Sequence, residues 1–212
     1  MSVPREIEVK CFICKKKSKQ IILLSTNTLG APDLDLRPSE MQRSTMSWWI
    51  QRCPHCEYVA GSISDETPVD PEWLNDNGYR FSDDRNFKST LADTFYKDYL
   101  LDCALGKTIK AFYAALYAAW ACDDARDYEN ARFCRLKALK KMEKVVPYKN
   151  KETASLVRAD LLRRTGQFNV LIKEYENVTF SDDLLNDIVA FQIKKAKEES
   201  DGCYTVDDVE KG

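Results

Sequence analysis

Residues 47–61 read SWWIQRCPHCEYVAG. Two cysteines, Cys53 and Cys56, enclose Pro54 and His55, the single histidine of a 212-residue chain. Such a pair can be a redox dithiol, a disulfide, half of a metal site, or a Cys–His nucleophile. A thioredoxin-like dithiol opens a helix inside a βαβ unit, whereas Tyr58-Val59-Ala60-Gly61 reads as a strand. A nucleophile must meet its histidine base in space, and His55 sits inside the turn that carries the thiols. The deciding companion lies upstream. Cys11-Phe12-Ile13-Cys14 is a second C-x-x-C, also beside strand-like sequence. A two-residue gap lets a tight turn aim both thiolates at one ion, and two such turns complete a tetrahedron. The pattern predicts one Zn²⁺ held by Cys11, Cys14, Cys53 and Cys56. Four thiolates saturate zinc, so the ion is structural and no catalytic residue is assigned. His55 then reads as a turn residue.

Working outward, EIEVK, QIILLST, WWIQR and YVAGSI are strand-like, rich in β-branched and apolar residues. The long interval between the cysteine pairs is absorbed by a loop over 29–39, broken by Gly30, Pro32 and Pro38. Residues 1–66 therefore read as a zinc ribbon-like module. Trp48 and Trp49, placed on a strand, point in opposite directions. One is expected to face the ribbon core, the other the helical half or a partner. Residues 67–86 form an acidic connector. In it Asp70-Pro71 starts a short helix and Asn77-Gly78 stops it.

From about Phe87 the apolar period becomes helical. Six helices are expected near 88–105, 107–123, 128–145, 151–165, 168–177 and 182–199, with Gly106, Pro147 and Gly166 between them and Ser181 opening the last. The polar residues 200–212 read as a flexible tail. The fold class is thus mainly α with a small β zinc-ribbon module. Within 111–124, AFYAALYAAWACDD carries six alanines among aromatics, a composition suited to a helix packed on both sides. The next segment, with Asp127 to Ala131 and Ala138, is similar to the second helix of a tetratricopeptide (TPR) hairpin. Gly166 and Phe168 mark a second copy. Arg126 replaces the turn glycine of the first copy, and Leu171 stands where that copy has Ala131. The copies also lie further apart than the roughly 34 residues of the standard repeat, so 87–199 reads as divergent TPR-like hairpins.

Asp33 to Pro38, Trp48 to Ile50, the Cys53 to Ala60 knuckle and Leu116 to Trp120 together resemble an uncharacterised bacterial family of the domain-of-unknown-function class. That family joins a two-C-x-x-C zinc ribbon to TPR-like helices. The resemblance implies an architecture and no activity. Glu57 departs from its pattern, in which glycine often follows the second knuckle cysteine.

The charge balance, 32 basic against 34 acidic residues, gives no global field toward nucleic acid or membrane. MSVPREIEVK lacks the apolar core of a secretory signal, and no apolar run nears the roughly 18–20 residues of a membrane span. A cytoplasmic, non-membrane protein with reduced thiols is expected. Cys103, Cys122 and Cys134 suit a helical core and Cys203 the surface. No phosphate loop, dinucleotide fingerprint, serine-hydrolase elbow or H-E-x-x-H is present, so the expected function is not enzymatic. The first reading is a scaffold that captures a protein or peptide on its helices through Tyr113, Tyr117, Trp120, Asp124 and Arg158. The second is a ribbon that binds nucleic acid through Lys10, Lys15, Lys16, Lys17 and Lys19 with Phe12, Trp48 and Trp49.

Overall fold

The alternating stretch from Val3 and the β-branched run after Lys17 pair as a hairpin, with β1 Val3–Lys10 antiparallel to β2 Lys17–Ser25. Lys10 faces Lys17, so the first C-x-x-C forms the hairpin's end. The second C-x-x-C joins the short strands β3 Gln51–Arg52 and β4 Val59–Ala60. These observations come from a computed structural model that describes residues 2–210.

The expected strand over WWIQR is corrected. Residues 43–48 form a 3₁₀ turn, and only Gln51 and Arg52 are extended. Trp48 and Trp49 therefore do not alternate across a strand. Trp49 instead meets Tyr117 edge-on, with ring centroids 5.4 Å apart, and its indole N–H donates to Thr45 Oγ1 at 2.9 Å. Burying an aromatic ring of some 150–250 Å² against a helix outweighs two more rungs on a two-stranded ladder.

In the connector, Asp70 caps a 3₁₀ turn over Pro71–Asn75, accepting from Glu72 N. Asn77-Gly78 does not simply stop it. Asp76 accepts a hydrogen bond from Gly78 N at 2.8 Å, and one further helical turn, α1 Asn77–Arg80, follows.

Six longer helices follow at close to the expected positions: α2 Thr90–Ala104, α3 Thr108–Asp124, α4 Tyr128–Met142, α5 Lys151–Arg164, α6 Phe168–Tyr175 and α7 Asp183–Lys197. Asp182, not Ser181, caps α7, accepting from Leu184 N. Helix α3 lies between α2 and α4, as its alanine content requires. Helix α5 packs on α4, α6 and α7.

Four helices end in the same way. Gly106, Arg126, Gly166 and Glu199 are all left-handed. After each, the next amide returns to the carbonyl five residues back: Lys107 to Asp102, Asp127 to Cys122, Gln167 to Leu162, and Ser200 to Lys195, at 2.8–2.9 Å. This is the Schellman closure, which favours glycine at the left-handed position. Arg126 and Glu199 fill it against their preference.

Leu34, Met46, Ile50 and Val59 join the buried residues of α2–α7 in one core. A second core contains Val9, Cys11, Cys53, Tyr58, Ile63, Leu74 and Tyr79, and is closed by Leu101 of α2. The segment expected to be a tail docks back onto the loop. Leu34 N donates to Tyr204 O, Val206 N to Pro32 O, and a last short helix, α8 Val206–Glu210, follows. No helix among the described residues is long and apolar enough to cross a membrane.

Candidate metal centre and the adjoining groove

Both knuckles have the same backbone. Cys11 N donates to Lys16 O and Lys15 N to Cys11 O. Cys53 N donates to Tyr58 O and Glu57 N to Cys53 O. Each turn closes with a left-handed residue after its second cysteine, Lys15 at φ +61° and Glu57 at φ +62°. The glycine common at Glu57's position is thus a preference of the turn, and Glu57 adopts the same geometry. Its carboxylate receives Arg52, and Arg52 also pairs with Asp93 of α2 at 2.7 Å.

The turns face each other. All four Sγ atoms lie within 4.8 Å of one another, with Cys11–Cys56 at 3.7 Å and Cys14–Cys53 at 3.6 Å. Sulfurs about 2.3 Å from a central ion stand about 3.8 Å apart in a tetrahedron. A disulfide would bring them to about 2.05 Å. The spacing fits a shared metal ion and excludes cross-linked pairs. Backbone amides point at the sulfurs: those of Ile13 and Cys14 at Cys11, that of Lys16 at Cys14, and that of Tyr58 at Cys56. Burial pushes the Cys11 and Cys56 thiols up, while at Cys14 burial is outweighed by the Lys16 amide and the neighbouring sulfurs, which hold the thiol down. A cation at the centre would favour the thiolate at all four.

The surroundings hold the turns rather than open them. Phe12 N donates to Ile63 O at 2.7 Å, Gln20 Nε2 to Arg52 O at 3.2 Å, and Tyr79 Oη to Glu57 O at 2.8 Å. Buried Lys97 of α2 in turn donates to the carbonyls of Tyr79 and Arg80. His55 is exposed, and its Nε2 lies 3.2 Å from Lys17 O, where an Nε2–H would donate. It ties one knuckle to the other and adds no fifth ligand to the four-sulfur set. A closed set of this kind can stabilise a fold but leaves no position for substrate.

Comparison with protein-family models, with curated proteins and with solved structures finds no match. The residues themselves carry the functional reading.

The other candidate residues divide. Tyr113, Tyr117 and Trp120 come together along α3, with centroids 6.0 and 5.1 Å apart in sequence order. They line a groove of 680 Å³ whose opposite wall is the loop carrying Pro32, Leu36 and Pro38. Trp120 is its floor, buried with its indole N–H donating to Asp35 Oδ2 at 2.8 Å. Asp124 pairs instead with Arg37 at 2.5 Å and helps to fix the loop. Arg158 is apart from the groove, paired with Glu174 of α6 at 2.9 Å. Trp49, one of the pair expected to hold a residue facing the helical half or a partner, joins the groove, while sequence reading missed Leu36 and Tyr148, which complete it. Of those two, only Tyr148 has a sequence signal, as an aromatic beside Pro147.

The lysines are all exposed. Lys17 pairs with Glu8 at 2.6 Å and Lys19 with Glu6 at 2.8 Å, while Lys15 lies over the Phe12 ring. Trp49 is engaged at α3. A divalent ion held by four thiolates would carry a net −2, which the lysines beside the first knuckle would offset.

Beneath the loop runs a chain of buried charges. Asp35 and Asp123 both hold Arg135, Asp123 also holds Arg164, Asp160 holds Arg163, and Asp33 holds Arg43. Cys203 donates to Asp33 at 3.3 Å, and burial with Asp33 beside it pushes its thiol up to about 12.

Proposed function

We propose that the chain is a non-enzymatic scaffold in which one structural Zn²⁺ at Cys11, Cys14, Cys53 and Cys56 braces a peptide-capturing groove on TPR-like helices. The observation that carries this reading is the groove itself. Trp49, Tyr113, Tyr117 and Tyr148 are left half-buried around 680 Å³ of open space, walled by prolines. Aromatic-lined grooves accept extended, proline-containing segments, whose ordering costs little entropy. The zinc assignment follows from an all-sulfur set at tetrahedral spacing. The TPR-like description rests on the repeated helix closures and on Ala131 and Ala138, both buried at helix contacts. Membership of the resembling bacterial family and a cytoplasmic setting belong to the same proposal.

Nucleic-acid binding by the ribbon is the weaker alternative, since two of its five lysines are paired with glutamates and Trp49 is packed against α3. The test places a photo-crosslinking amino acid at Tyr113 and, as a control, at Arg158, in cells that make the protein. Peptide adducts at Tyr113 alone are expected. Equal labelling at both positions, or RNA in the adducts, would defeat the reading.

A further inference from the structure

Beyond Tyr113 and Tyr117 the groove narrows into a cleft of 250 Å³ between the second knuckle strand and α2–α3. Two carboxylates line it, Asp98 and Asp102, four residues apart and so on one face of α2. Asp102 is 6% exposed. Among the described residues its carboxylate accepts no hydrogen bond and has no cation within 4 Å. The same holds for Asp98. The other buried acids are all satisfied: Asp33, Asp35 and Asp160 each hold an arginine, and Asp127 accepts from Lys88 N and Asn130 Nδ2.

Lys107 and Lys110 at the start of α3 are the cations that act on the pair. Both are exposed and act only through space. They line the same cleft and partly offset the carboxylates through space, but no salt bridge joins either lysine to Asp98 or Asp102. Burying a carboxylate without a partner is costly. Asp102, with half-buried Asp98 one turn before it on the same rigid helix, faces a cleft with Trp49 and Tyr117 on its walls and forms a receptor for a positive charge. Aromatic faces add to the attraction for a cation held between them and an acid.

We propose that Asp98 and Asp102 receive an arginine or lysine side chain of a partner peptide whose apolar residues lie along the aromatic groove. This rests on the groove being a peptide-binding surface. The cleft takes one side chain, and the 680 Å³ groove takes the residues beside it. The pair thus sets the charge and register of the segment bound, while the aromatics set its apolar character.

The test uses the full-length, zinc-loaded protein and three blocked nonapeptides with identical proline- and phenylalanine-containing flanks. The central residue is arginine, citrulline or glutamate. Citrulline keeps the shape of arginine without its charge. Binding is followed by NMR through the Trp49 indole N–H and the amides of residues 98 and 102. The arginine peptide is expected to bind at least roughly tenfold tighter than the citrulline peptide, a margin of one well-placed charge. Asp98→Asn with Asp102→Asn should abolish that preference while the Trp120 indole signal stays unchanged, showing an intact fold. Equal binding of arginine and citrulline peptides to the native protein would overturn the inference and leave the groove reading standing. If no peptide moves the Trp49 signal, both fall. Self-association that disappears in the double variant would assign the acids to a second copy of the chain and overturn the partner proposed here.

Discussion

Asp35 and Trp120 are 85 positions apart, yet the Asp35 carboxylate accepts the Trp120 indole N–H at 2.8 Å with both residues buried. The same Oδ2 lies 3.3 Å from Nη2 of Arg135, whose side chain is 2% exposed. One carboxylate thus fixes the groove floor, the loop that walls it, and a buried guanidinium on α4. Asp35→Ala would leave the indole N–H without a partner and Arg135 with Asp123 alone. A loss of about 2–4 kcal/mol is expected from the orphaned groups. Asp35→Asn keeps an acceptor for Trp120 and should cost less than Asp35→Ala. Urea unfolding followed by tryptophan fluorescence separates the two. Equal, small effects would show that the loop is held by other contacts.

Arg126 offers a gain. It is exposed and occupies the left-handed position that glycine fills at 106 and 166. Its carbonyl accepts from Lys88 Nζ, a bond that any residue can retain. Arg126→Gly should therefore stabilise by up to about 1 kcal/mol. Arg126→Val, β-branched at positive φ, should destabilise by about as much or more. Thermal denaturation of both variants checks the sign. A destabilising glycine would mean that the arginine side chain makes a contact worth more than the backbone strain.

Asp98 predicts a pH dependence. Burial, with Asp102 beside it, holds its carboxyl up to about 7, against the opposing pull of Lys110 and Lys107. Tyr58, Tyr113 and Tyr117 also line the cleft, but all three titrate far above this range. The folded state therefore keeps a proton that the unfolded chain releases near pH 4. Stability from this group is lost as pH rises from about 4 to about 7, and the full cost is present above that. Asp98→Asn should remove this contribution, with an upper bound of about 4 kcal/mol gained at pH 8 and little change at pH 4. Paired denaturation curves at the two pH values give the difference. A gain that is the same at both would assign the effect to packing instead of charge. An arginine peptide in the cleft should draw the proton off, so its binding should strengthen between pH 6 and pH 8.

The metal centre predicts a graded collapse. About one zinc per chain is expected by elemental analysis, and Cys53→Ser should lose it. Because a closed thiolate site contributes folding free energy directly, chelation should free the amides of Cys11, Lys15, Cys53 and Glu57 to exchange with deuterium. Residues 33–37 are pinned by Trp120, Asp124 and Arg135 and not by the sulfurs, so the Trp120 indole N–H should stay protected. Simultaneous loss of both would mean that ribbon and helices unfold as one unit.

The knuckles were legible because the C-x-x-C spacing is itself the geometry: two intervening residues allow one turn and little else. Helices α2 to α7 were legible because apolar period and stop signals agreed, as at Gly106 and Gly166. Trp48 and Trp49 misled, since β-propensity describes fit to a half-buried surface and a helix supplied that surface instead. The docking of Tyr204 beside Leu34 and the pairing of Asp35 with Arg135 leave no local pattern, because each partner by itself reads as an ordinary polar loop or helix residue. The unpaired state of Asp102 is likewise a property of what surrounds it. Its spacing from Asp98 marks only a shared helix face.

The clasp between Cys203 and Asp33 spans 170 positions. A ribosome adding roughly 5–20 residues per second makes that interval on the order of ten to thirty seconds. Until it ends, the loop bearing Pro32 and Leu36 can be held by Trp120, Asp124 and Arg135 but not by the segment around Cys203, so the last of its contacts forms long after the groove floor. A chain that ended before residue 203 would thus keep both cysteine knuckles and α2–α7 while lacking the contacts that Cys203, Tyr204 and Val206 make to Asp33, Leu34 and Pro32.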